Sequence, residues 1–120
     1  MPLEGSVPIQ PSEDTDRVIR CVLNIFPGSD TEVLGDRINF TTDDLVRFIE
    51  ILGEQKIRDT AVMVLDRGLR DDSTRFHLNK QAAFMGKVNF TDGDSNLGDI
   101  DVTIIEGAMA LIENIRPDLE

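Results

Sequence analysis

The sequence predicts an α+β fold: two layers, with a mixed β-sheet and helices packed on one face. Three observations carry this. Ile100, Val102 and Ile104 alternate with Asp99, Asp101 and Thr103, the period of two of a half-buried strand. Residues 18–26 and 45–52 repeat apolar side chains at helical spacing. The implied order is strand, helix, hairpin, helix pair, three strands, helix. It does not alternate strictly, as a parallel sheet with crossover helices would.

Each element has a local reason. Pro2, Pro8 and Pro11 surround Val7 and Ile9, so Gly5–Gln10 reads as a short edge strand, where proline is tolerated. Residues Ser12–Asp16 supply capping side chains and negative charge for a helix start. Val18, Ile19, Val22, Leu23 and Phe26 form its apolar stripe, and Pro27-Gly28 stops it. Thr31–Leu34 and Arg37–Thr41 flank Gly35-Asp36. This Gly-first loop suits a type II′ hairpin, with Ile38 and Phe40 on one face. Thr41 and Asp44 frame the next helix start, and Leu45, Phe48, Ile49 and Leu52 continue it. Gly53 marks a break, Ile57, Ala61, Val64 and Leu65 make a further stripe, and Gly68 stands at a C-cap position. Two helices, or one bent at Gly53, fit equally well.

The turn at Arg70-Asp71-Asp72-Ser73 leads to Phe76 and Leu78, which alternate with Arg75, His77 and Asn79 in a half-buried strand. Gln81–Gly86 lacks alternation and reads as a turn, bulge or short helical piece. Lys87–Phe90 resumes the period of two, and Asp92–Asn96 is a loop. Gly107–Ile115 forms a closing helix before Pro117.

The 120 residues suit a single domain spanning 1–120, long enough to bury roughly two thirds of its unfolded surface. At 40% apolar and 29% charged the chain is of globular rather than disordered type. No apolar run approaches the roughly 20 residues that cross a bilayer, and the N-terminus lacks a signal-peptide pattern. A cytoplasmic protein without a membrane partner is expected. The single cysteine, Cys21, falls on the apolar side of the first helix, as a core residue.

Charge is distributed unevenly. The net charge is −11, yet residues 56–87 carry seven basic and four acidic side chains. Asp outnumbers Glu by 15 to 8, and Arg outnumbers Lys by 9 to 3. Scattered carboxylates with scarce lysine suit a cytosol of molar salt, where a Debye length of about 3 Å screens self-repulsion. Salt adaptation is the reading this supports; an ordinary acidic protein with basic partners is the alternative.

Leu78-Asn79-Lys80-Gln81-Ala82-Ala83 and Gly86-Lys87-Val88-Asn89-Phe90 lie within or at the end of the basic segment. With Gln55–Ala61 and Val22–Pro27 upstream, they resemble the recurring pieces of an archaeal uncharacterised (UPF-type) family of predicted RNA-binding, exosome-subunit-like proteins. The resemblance covers nearly the whole chain. It implies a fold like that of the ribosomal protein that binds five-S RNA, and an RNA role without an established activity.

The residues fit that expectation. Arg75, His77 and Asn79 should share one strand face, with Lys80, Gln81 and Lys87 following around the turn and Arg58 in support. Cations serve phosphate oxygens, and amides serve base edges. Among the aromatics, Phe84 is the candidate for exposure and stacking. A solvated sheet face carrying charge only for solubility is the plain alternative. Asp92-Gly93-Asp94-Ser95-Asn96 resembles part of a calcium loop but lacks the distal glutamate, and no metal or other cofactor is expected. No phosphate-binding glycine loop, nucleophile elbow or dinucleotide fingerprint is present, so neither an enzyme nor a small-molecule substrate is implied. His77 with Asp59 or Asp72 is the one acid–base pairing open to a catalyst. The second functional class is self-association into a homo-oligomer through a sheet edge or face.

Overall fold

A computed structural model describes residues 2–93 and 98–116. The chain runs β1 (Leu3–Pro8), α1 (Thr15–Ile25), β2 (Asp30–Leu34), β3 (Arg37–Thr42), α2 (Val46–Glu54), α3 (Arg58–Arg67), β4 (Thr74–Leu78), α4 (Lys80–Phe84), β5 (Phe90–Thr91), β6 (Ile100–Ile104) and α5 (Ala108–Ile115). Six strands form one open sheet in the order β2-β3-β1-β6-β4-β5. The α+β, two-layer class holds. Every pairing among these strands is antiparallel rather than mixed.

Burial follows the pleat. Leu3, Val7, Ile38, Phe40, Phe76, Leu78, Ile100, Val102 and Ile104 are buried on the helix side, while Glu4, Arg37, Asn39, Thr41 and Arg75 face outward. The helices meet this face with Val18, Cys21, Val22 and Ile25 of α1, Phe48, Ile51 and Leu52 of α2, and Leu111, Ile112 and Ile115 of α5. A run of rings threads the core as Phe40, Phe26, Phe48, Phe76 and Phe90, with successive centroids 5.5–5.8 Å apart. Asp72 caps α5 from the turn before β4. Its carboxylate accepts from the Gly107 and Met109 amides at 2.8 and 3.0 Å, and these bonds hold its carboxyl below the usual range.

Several expectations are corrected. The first strand is central, not an edge. Pro8 is tolerated because pairing with β6 extends only over Leu3–Ser6, so the last residue of β1 faces no partner strand there. The α2 entry uses Thr42 and Asp44 rather than Thr41. Thr42 Oγ1 accepts from the Asp44 amide at 3.0 Å, and Asp44 Oδ1 from the Val46 amide at 2.9 Å. Gly53 lies inside α2; the break falls at Lys56, which takes φ 60° between two separate helices. Gly68 ends α3 with φ −87°, so it is not needed for a left-handed cap. It is needed because a Cβ there would lie 2.5 Å from the Arg75 carbonyl oxygen.

The strand expected over Lys87–Phe90 is reduced to Phe90–Thr91. Val88 is instead held by the Gln55 carboxamide, which donates to its carbonyl and accepts from its amide, both at 2.8 Å. A side chain therefore takes the place of a neighbouring strand. At the hairpin, Gly35 takes φ 63° while Asp36 does not become left-handed, as a type II′ turn requires. Asp94–Asn96 of the expected loop, and Pro117, lie outside the described residues.

Candidate functional site

The outer face of β4 carries Arg75 and His77, as the alternation predicted. Arg75 does not present a free charge. Its guanidinium donates from Nε and Nη2 to the two carboxylate oxygens of Asp101 at 2.9 and 2.5 Å. These hydrogen bonds, reinforced by the opposite charge, raise the guanidinium pKa further. His77 Nε2 lies 3.7 Å from the same carboxylate. The cross-strand register brings this about, because His77 stands opposite Asp101 and Arg75 lies two residues before it on the same face.

Asn79 and Lys80 serve the fold. Asn79 is the N-cap of α4, its side-chain oxygen accepting from the Ala82 amide at 2.8 Å. Lys80 is 1% exposed, and its ammonium donates to the Pro8 carbonyl at 2.7 Å and to Glu13 Oε1 at 3.0 Å. As an RNA contact Lys80 is corrected, because a buried, paired ammonium cannot reach a phosphate, while the side-chain oxygen of half-buried Asn79 is engaged as a cap. Cys21 packs beside this pair, with Sγ 4.0 Å from the Lys80 carbonyl oxygen. Burial pushes its thiol up to about 12, which fits the core role and gives no nucleophile.

The remaining candidates separate. Gln81 is exposed at a small cleft between the start of α1 and α4, which includes Glu13, Asp14 and Arg17. The Arg17 guanidinium sits 5.7 Å above the Phe84 ring there, so Phe84 is covered on that side rather than open for stacking. Lys87 is exposed and lines a cleft with Ile57 and Thr60, and Arg58 is exposed at the start of α3. One docking surface for all seven residues is therefore not formed. The sequence orders them along the strand and turn, but pleating and the α4 turn send them in three directions.

What the fold does build is a groove at the β5 edge. Two clefts, of about 360 and 400 Å³, share Thr60 and Phe90. The first adds Ile57, Lys87 and Asn89; the second adds Val64, Arg67, Arg75, His77, Thr91 and Asp92. The floor is apolar and the flanks carry cations. Among the described residues, Thr91 Oγ1 is buried without a hydrogen-bond partner, turned away from solvent. Sequence reasoning missed Arg67 and Phe90. Thr60, Val64 and Arg67 recur at i, i+4, i+7 on α3, and that face was the available signal.

By contrast, a depression of about 490 Å³ on the outer sheet face includes Glu4, Glu32 and Asp101, with Arg75 already paired. Its surplus of carboxylates disfavours a polyanion. Among the described residues no group of three or more His, Cys, Asp or Glu side chains could hold a metal ion, and no helix is long and apolar enough to cross a membrane.

An open antiparallel sheet with helices on one face and a mixed apolar–cationic groove at one edge defines a small two-layer α+β module. Its fold and sequence both have counterparts. A family model described as RNA binding matches residues 3–105. The chain is similar to the UPF0201 protein of Methanothermobacter thermautotrophicus, 41% identical over 116 residues, covering 93% of this chain and 88% of that one. The crystal structure of a UPF0201 protein from Methanococcus jannaschii matches with a TM-score of 0.86 at 32% identity, over 100% of this chain and 96% of that one. A second UPF0201 crystal structure matches with a TM-score of 0.82 at 31% identity, over 87% and 81%. The chain belongs to the archaeal UPF0201 family.

Proposed function

We propose that this protein is a non-catalytic RNA-associated module whose RNA contact is the edge groove between α3 and β5. The observation that supports the reading is the pair of adjoining clefts flanked by Arg67 and Lys87, in a chain matched by a family model described as RNA binding. The reading includes kinship with the exosome-subunit-like proteins and with the fold of the five-S-RNA-binding ribosomal protein, for which an open sheet backed by helices is the supporting feature. A cytoplasmic location goes with it.

The groove leaves out buried Lys80, retains Lys87, His77 and the Asp101-paired Arg75, and has Arg58 just before it at the start of α3. The net charge of −11 opposes long-range attraction of RNA, so short-range contacts within the groove must supply the affinity. Fluorescence anisotropy with labelled RNA tests this. Arg67→Ala/Lys87→Ala should weaken binding about tenfold or more at low salt, while Gln81→Ala should leave it unchanged. Equal affinities for wild type and the double variant would exclude the groove.

A second reading is self-association through β2. All five of its residues are exposed, with Val33 and Leu34 at 47% and 48%, and an open edge strand is a template for another strand. Under this reading, light scattering reports a dimer that Val33→Lys dissociates.

A further inference from the structure

Resting on the groove reading, we infer that the site takes unpaired RNA and stacks a nucleobase on Phe90, rather than docking a duplex. Phe90 is the outermost described ring of the aromatic run. It lies edge-on to Phe76 at 5.8 Å and 67°, which holds its orientation, and it borders both clefts. A half-buried ring set edge-on to Phe76 and bordering two clefts offers a stacking platform, and every base has a face to offer it.

The polar groups around the ring suit a base better than a row of phosphates. Asn89 is exposed and lines the first cleft beside Lys87. His77 and Thr91 line the second. An apolar floor with a few polar groups at its margin is the composition of a small-ligand pocket. Two of the groove's cations, Arg67 and Lys87, suit the phosphates on either side of a stacked nucleotide, while Arg75 is paired with Asp101. Asp92 in the second cleft keeps that end from being uniformly positive. A duplex fails on two counts. Its bases are stacked internally and cannot reach a recessed ring, and its phosphate rows would extend onto a sheet face bearing Glu4, Glu32 and Asp101.

The chain contains no tryptophan, so Phe90→Trp places a single indole reporter on the platform. End-labelled oligoadenylate and a hairpin duplex of equal length serve as probes, with anisotropy and indole emission read together. The single strand should quench the indole and bind at least about tenfold more tightly than the duplex. Phe90→Leu, checked for folding by circular dichroism, should lose about tenfold or more in single-strand affinity. The affinity should fall with salt at a logarithmic slope of about −1.4, as two phosphate contacts on a single strand dictate. Single-strand binding that Phe90→Leu leaves unchanged and that does not quench the indole overturns the stacking inference. In that event, a loss in Arg67→Ala/Lys87→Ala leaves the groove reading standing. If that double variant binds both probes like wild type, or wild type binds neither, the groove reading falls and the inference with it.

Discussion

Lys80 shows how one residue can carry two opposite interpretations. Beside Gln81 and Lys87 in the sequence it belongs to a basic cluster, yet its ammonium is 1% exposed and joins the end of β1 to the loop before α1. Glu13 is a suitable partner because it also accepts from the Gln10 amide at 2.8 Å, which fixes its position. Removing one member of a buried pair costs about 3–5 kcal/mol, because the other charge stays desolvated. Glu13 keeps 15% of its side chain in solvent, which places this case near the lower end. Lys80→Met should therefore lower unfolding free energy by about 3 kcal/mol in urea melts. RNA affinity of the folded variant should match wild type; a selective loss of RNA binding with unchanged stability would restore Lys80 as a contact. Arg75 illustrates the same lesson on the surface, where its charge is spent on Asp101.

At the scale of the element, two helix glycines separate propensity from packing. Gly53 lies inside α2, and a Cβ there would have nothing within 4 Å, whereas a Cβ at Gly68 would meet the Arg75 carbonyl oxygen at 2.5 Å. Gly53→Ala should stabilise by about 0.5–1 kcal/mol, since alanine gives up less backbone entropy. Gly68→Ala should destabilise by about 1–3 kcal/mol, because a backbone oxygen of β4 cannot move aside as a side chain can. Paired denaturant melts check both signs, and equal shifts would show that helix propensity alone governs these positions. The contrast also explains why α3 and β4 pack closely enough to form the wall of the groove.

For the molecule as a whole, 23 acidic against 12 basic residues make compaction electrostatically costly in dilute buffer. Long-range repulsion is screened at molar salt, where the Debye length is about 3 Å. The melting temperature should rise with KCl through the molar range; full stability without added salt would refute salt adaptation. The same screening would erase most counterion-release affinity for RNA, so the proposed stacking on Phe90 should retain more of its contribution in molar salt than the flanking cations do.

Local order determined much of this fold. The strand periodicity of β4 and β6, the first helix with its proline–glycine stop, the hairpin at Gly35-Asp36 and the two-layer α+β class all follow from spacing and turn chemistry, which act within a few residues. Tertiary structure alone decided which strand is central, that Gln55 stands in for a strand beside Val88, that Asp101 neutralises Arg75, and that Glu13 claims Lys80. Those outcomes join residues dozens of positions apart. A sequence without pairing information specifies the charge of a side chain but not the partner that register and packing bring to it. The groove belongs to the second group, because Arg67, Lys87 and Phe90 meet only once α3 lies along the sheet edge.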